Sequence, residues 1–193
     1  MSRTQRLYLV LALAFNVVVA TAVTRTAGVM PAIIVAGSMF GGLIGWSLTS
    51  LRHPSEPRRI VPVYLLTVAM LFFHIGEEYL YDFGTRIGHL TGSGWTEAQH
   101  VTQFVFVIPV FWMLGAIGLY FRHPLGNFMA WFIFAGMFLG EPTHLLVFPV
   151  LEGGRYHYFP GMWTALLPMV MGCWGLQVIL SEHRQRRALA STS

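Results

Sequence analysis

Six long blocks of apolar residues alternate along this chain with short segments where arginine, glycine, proline and polar side chains gather. The blocks lie at roughly 7–24, 29–50, 62–84, 95–121, 125–149 and 159–181. A helix rises ~1.5 Å per residue and a bilayer core is ~30 Å thick, so about 20 apolar residues suffice to cross it. The pattern predicts an all-α integral membrane protein with six transmembrane helices in a single domain, 1–193. Spans 3 to 6 are expected to form a bundle around a polar site, for a reason given below. The first block follows Arg3 and Arg6, and its Ala20-Thr21-Ala22 resembles a signal-peptide cleavage site. A retained helix is favoured, because the charge pattern of the later loops works best with that span in place.

Composition supports the membrane reading. The chain is 55% hydrophobic and only 10% charged, whereas an ordinary soluble domain carries about 25% charged residues. All 12 basic residues are arginine, and the net charge is +4. Such a balance can signal nucleic acid. Here the arginines sit at the ends of apolar blocks and form no stripe, which excludes that partner. Counted by alternate loops, Arg3, Arg6, Arg52, Arg58, Arg59, Arg122, Arg184, Arg186 and Arg187 fall on one side, and Arg25, Arg86 and Arg155 on the other. That asymmetry predicts cytoplasmic termini. Cys173 is the one cysteine, so no internal disulfide or multi-cysteine zinc site is available. Gly37, Gly41 and Gly45 make a small-residue stripe suited to close helix packing, within the chain or between copies in a homo-oligomer. Pro109 and Pro168 are expected to kink spans 4 and 6.

The chemistry concentrates at the opposite ends of the spans from most arginines. Within "LFFHIGEEYLYDF", residues 71–83, stand His74, Glu77, Glu78 and Asp82. Span 4 opens with Glu97-x-x-His100 and span 5 closes with Glu141-x-x-His144. Residues three apart share a helix face, so each pair can point inward together. At ~1.5 Å per residue the three pairs reach one layer, about 6–12 Å below the outer boundary. Ionised groups there cost ~2.5–3.5 kcal/mol each. A divalent cation would neutralise the carboxylates and accept the imidazole lone pairs. Two ions suit three Glu and three His better than one, and Glu-x-x-His pairs on facing helices are the ligand pattern of di-metal carboxylate bundles. The expected metal ligands are therefore His74, Glu77, Glu78, Glu97, His100, Glu141 and His144. Glu78 is the expected bridging ligand or general base. His157, in the loop "LEGGRYHYFPG", is a candidate proton shuttle. Asp82 and Glu152 have no firm role, and His89 is expected at the surface.

The "HIGEE" stretch resembles the HxxEE-motif family of small bacterial integral membrane proteins. "EPTH" and "YHYFPGMWTALLP" are similar in placement to that group's later acid/His and Pro-Gly segments. The resemblance covers about residues 62–180. It implies a bacterial inner-membrane protein with a metal or catalytic site at His74, Glu77 and Glu78, and no particular reaction. The sixth residue of "EEYLYD" is Asp82, where glutamate-type intramembrane proteases carry Arg, and this departure counts against that family.

Together these features predict a membrane-embedded enzyme with a di-metal site near the outer leaflet, acting on a lipid or other hydrophobic small molecule. Di-iron oxidation, by hydroxylation or desaturation, is favoured on the Glu-x-x-His likeness. A di-zinc hydrolase is the first alternative. A divalent-metal transporter or binding protein is the second, although the inner halves of spans 3 to 6 offer almost no further ligands.

Overall fold

A computed structural model of the protein describes residues 1–191, so the last two residues of the expected domain lie outside it. Among the described residues there are helices and turns but no strand. The order is α1 (Arg3–Thr26), α2 (Val29–Leu48), α3 (Pro57–Leu80), α4 (Phe83–Thr91), α5 (Glu97–Val101), a π-helical turn (Thr102–Val107), α6 (Ile108–Tyr120), α7 (Pro124–Leu139), α8 (Pro142–Leu146), α9 (Phe148–Leu151) and α10 (Leu166–Ala190).

Five stretches are long and apolar enough to cross a membrane: Arg3–Thr26, Val29–Leu48, Pro57–Leu80, Glu97–Tyr120 and Pro124–Leu151. The sixth predicted block, 159–181, is not among them. Residues 159–165 form turns, and α10 starts only at Leu166. Its later half carries the polar run Ser181-Glu182-His183-Arg184. Pro168 consequently falls in the first turn of α10, where a missing N–H costs nothing, and does not kink a span.

α7 is the central packing element, touching α2, α6 and α10; α10 also packs on α3, and α1 lies against α2. In lipid there is no hydrophobic drive between helices, so close steric fit and buried polar contacts carry association. Gly45 and Gly42 of α2 lie against the Trp131 ring and the Trp131–Phe132 backbone of α7. Gly45 of the predicted oligomer stripe is thus used inside the chain, while a Cβ at Gly37 would meet nothing within 4 Å. The fully buried Asn16 ties α1 to α2 by donating from Nδ2 to the Met39 carbonyl at 3.1 Å. Tyr64, also fully buried, donates to the Trp112 carbonyl at 3.0 Å and joins α3 to α6.

Three of the predicted spans break near the same end of the molecule. α3 stops at Leu80; Asp82 takes a left-handed backbone at φ 58° and the chain turns into α4. Glu97-x-x-His100 begins a helix capped by Thr96, whose hydroxyl accepts from Gln99 N. The π turn follows directly. There Ile108 N–H bonds to the Gln103 carbonyl, five residues back, because Pro109 offers no N–H to continue the tighter ladder. α7 ends at Leu139, and Pro142 interrupts the ladder between Glu141 and His144. These breaks release side chains and backbone into the site.

Candidate metal centre

The clustered residues arrive from three of the interrupted segments. His74 and Glu78 come from the last turns of α3, His100 from α5, and Glu141 and His144 from the break after α7. All five are buried. His100 is brought in by close helix packing that was not foreseen. Gly84 of α4 lies against the His100 Cβ and Glu97 backbone, and Gly88 against the Trp95 backbone. A Gly-x-x-x-Gly pair therefore sits in a segment that reads as loop from its glycines alone.

Glu78 is the hub. Its Oε1 lies 3.5 Å from Nε2 of His74 and 3.5 Å from Nε2 of His144, and its Oε2 lies 3.4 Å from Nε2 of His100. His74 Nε2 is also 3.0 Å from Glu141 Oε2. That separation lacks hydrogen-bond geometry, since Glu141 Oε2 has no hydrogen-bond partner among the described residues. Both ring nitrogens of His100 are likewise unpartnered. Buried polar atoms without partners are rare in native proteins and demand an explanation. Bonds of ~2.1 Å from one ion, at tetrahedral or octahedral angles, separate neighbouring ligand atoms by about 3.0–3.4 Å. The His74–Glu141 spacing of 3.0 Å falls in that range, and the spacings of 3.4–3.5 Å around Glu78 lie at its upper edge. One ligand atom each from His74, Glu78 and His144 lies within 4.8 Å of the others.

The outer ring nitrogens fix how the imidazoles present themselves. His144 Nδ1 is 2.9 Å from the Pro160 carbonyl, which can only accept, so Nδ1 carries the proton and Nε2 keeps its lone pair. His74 Nδ1 is 3.1 Å from Thr164 Oγ1, and that hydroxyl donates to Glu77 Oε2 at 2.6 Å. With its proton committed to Glu77, Thr164 accepts from His74 Nδ1–H, and His74 Nε2 is free too. Both Nε2 lone pairs then face Glu78. An imidazole held this way is the usual arrangement of a metal ligand. Among the described residues no arginine pairs with Glu78 or Glu141. This donor set can hold a divalent cation.

Glu77 behaves differently from its neighbour. Besides the Thr164 hydroxyl, its carboxylate accepts from Tyr158 Oη at 2.7 Å, Trp163 N at 3.1 Å and Thr164 N at 2.7 Å. It caps the turn that leads into α10 and is filled by four donors. His74 and Glu77 share a helix flank, but the inward partner of His74 is the residue four on, Glu78. Glu97 is also turned aside: its Oε2 accepts from Gly84 N at 2.7 Å, while Oε1 is buried without a partner.

His157 is not brought to the cluster. Its Nε2 meets Glu152 Oε2 at 2.7 Å and its Nδ1 the Arg155 carbonyl at 2.8 Å. Glu152 is gripped on its other side by the Arg86 guanidinium of α4, with Arg86 Nε donating at 2.6 Å. This trio fastens the 152–160 loop to α4. Asp82 and His89 are exposed.

Sequence reasoning missed Thr164, the Pro160 carbonyl and Gly161. Gly161 has φ +83°, and a Cβ there would come within 2.6 Å of both His144 Nδ1 and His74 Cε1. The signal was the Pro-Gly turn of "YHYFPGMWT", which marks a backbone demand without saying what it approaches.

No protein-family model matches the chain, and neither a curated protein nor a solved structure matches it.

Proposed function

We propose that the protein is a membrane-embedded, metal-dependent enzyme acting on a lipid or other hydrophobic small molecule. One observation carries this reading. His74, Glu78, Glu141 and His144 form part of the wall of a cavity of about 580 Å³ whose other lining is overwhelmingly apolar. A buried donor set facing a hydrocarbon-lined chamber suits chemistry on an apolar substrate. It suits an ion carrier poorly, because the rest of that chamber offers no further histidine, cysteine or carboxylate.

In this reading His74, His144, Glu141 and Glu78 would hold one ion, and Glu78 with His100 would hold a second. Glu77 and Thr164 keep the His74 ring in its ligand orientation, and the Pro160 carbonyl does so for His144. Iron bound here would supply O2 activation for oxygen insertion into a C–H bond, with two electrons and two protons drawn from an external donor and water as the second product. The oxidative version is favoured over hydrolysis because the chamber beside the cluster is lined for C–H groups rather than for a polar ester.

The same reading keeps the resemblance to the HxxEE-motif family, carried by His74, Glu77 and Glu78. It takes α10 as a sixth crossing, with residues 166–180 covering about 22 Å and the 158–165 turn completing the depth. It takes both termini as cytoplasmic on the arginine bias, and the cluster as facing outward from the bacterial inner membrane.

Elemental analysis of protein purified without added metal, with anomalous scattering at the iron and zinc edges, tests the proposal. Two irons per chain support oxidation, and two zincs redirect it to hydrolysis. One ion removes the second site. A centre that is empty as purified and fills reversibly with Mn, Ni or Zn would move the protein to transport, and a cluster that takes no ion under any condition sinks the reading.

A further inference from the structure

The cavity has a direction, and this narrows what it takes. It begins at the His/Glu cluster and reaches Met129, twelve residues from Glu141 along the α7 span. At ~1.5 Å per residue that is about 18 Å. An extended methylene chain advances ~1.3 Å per carbon given ~1.5 Å bonds, so the cavity accepts about 14 carbons end to end. Its polar wall residues are mostly occupied. Thr26, Ser38 and Thr143 each donate to a carbonyl of their own helix or turn, at 3.0, 2.9 and 2.5 Å. Gln103, one turn beyond His100, has a side-chain amide with no partner among the described residues.

There is also a mouth. Val18 of α1 and Val107 of the π turn both line the cavity, yet they are 66% and 49% exposed. Residues that are at once wall and surface mark an opening, and this one faces where lipid would lie. Below it, Phe15 and Phe111 close the seam with ring centroids 5.5 Å apart.

We propose that this chamber is an acyl-chain pocket. A fatty-acyl lipid slides in sideways between α1 and the π turn, with its head-proximal carbons beside the cluster and its methyl end near Phe111 and Met129. The direction follows from the membrane. The cluster lies towards one end of the spans, and a lipid of the adjacent leaflet keeps its head at that face and its tail towards the middle. Gln103 is available to the acyl carbonyl. A ring system rich in hydroxyls would leave those groups unpaired against the apolar wall. The assignment of the cluster as the reacting end rests on the proposed function; the fit of the chain does not.

Photo-crosslinking of the full chain in nanodiscs tests this with two palmitic acid analogues, one with a diazirine near the carboxyl end and one near the methyl end. The methyl-end probe should label Phe111 and Met129, and the carboxyl-end probe should label Ile87 and Phe148. Gly136→Phe plugs the chamber below the cluster, where an added Cβ would meet only the Ser38 Cβ at 3.9 Å. It should remove the methyl-end labelling and leave metal content unchanged. Should that variant not fold, Val19→Trp obstructs the same chamber from α1. Identical labelling by both probes, or labelling indifferent to a folded plug, overturns the pocket. Metal content measured on the same samples separates the two claims: ordered labelling without metal sinks the enzyme reading alone, and metal with disordered labelling sinks the pocket alone.

Discussion

Acids are buried at both ends of this molecule, and they are neutralised differently. At one end Glu182, only 6% exposed, has Arg59 and Arg186 within 3.7 Å and accepts from Glu56 N, while Glu56 pairs with Arg122. The chain supplies its own cations there. At the other end Glu78 and Glu141 are equally buried, but they face only imidazole Nε2 atoms. Two of these are lone pairs by the hydrogen bonds on the far side of the ring. Carboxylates opposite lone pairs repel unless a cation comes between them. The first end is finished as it folds; in the proposed function the second is completed by a cation.

The largest expected effect tests that contrast directly. Glu78→Gln should reduce bound metal to background and abolish any activity, because both halves of the cluster share that one carboxylate; elemental analysis of the purified variant reads it. Normal metal content in this variant would erase the distinction between the two ends. Gly161→Ala should come next. It strains a positive-φ position by about 1–2 kcal/mol and drives a Cβ against both the His74 and His144 rings, so metal affinity should fall, as read by competition with a fluorescent chelator. Thr164→Val should weaken metal binding by about 10–100-fold through the freed His74 ring, with Thr164→Ser restoring it. A purely structural threonine would lower the melting temperature without that rescue of affinity.

Smaller effects belong to the self-neutralised contacts. Glu182→Gln should leave metal content untouched and cost about 1 kcal/mol, since both arginines are part-exposed and solvent-screened; thermal unfolding in detergent measures it. The smallest effect concerns the loop clamp. The Arg86 guanidinium, followed by His157, holds the Glu152 carboxyl below its usual range, and Glu152 raises the His157 imidazole. A depressed acid contributes above its unfolded pKa of ~4.3 and loses its contribution as pH falls through the folded value. A raised histidine contributes fully below ~6.5 and loses its contribution as pH rises through the folded value. The protection of residues 152–160 against hydrogen exchange, corrected for the intrinsic pH dependence of amide exchange, should therefore be greatest in mildly acidic solution and decline on both sides. Arg86→Gln should flatten the acid limb.

Much of the arrangement could be read from residue order. His74 with Glu78, His100, and Glu141 with His144 share one depth because helical rise sets it, while the meeting of His100 with the others also needed the Gly84 and Gly88 packing. The helix ends and the fates of individual carboxylates could not be read. Pro142 breaks a helix locally, yet the apolar block runs straight through it. Glu77 and Glu78 are chemically identical neighbours; nothing within their own helix says which will find four donors and which will find three imidazoles.

The sequence by itself determined an apolar, helical, membrane-compatible chain and the gathering of acids and histidines at one end, since both depend on composition and on rise per residue. Tertiary structure decided the rest. The 158–164 turn folds back across some eighty to ninety residues to occupy Glu77 and orient His74, holds the nearer His144 through Pro160, and leaves Glu78 as the centre. Contacts between segments so far apart depend on how helices pack, which no local pattern encodes.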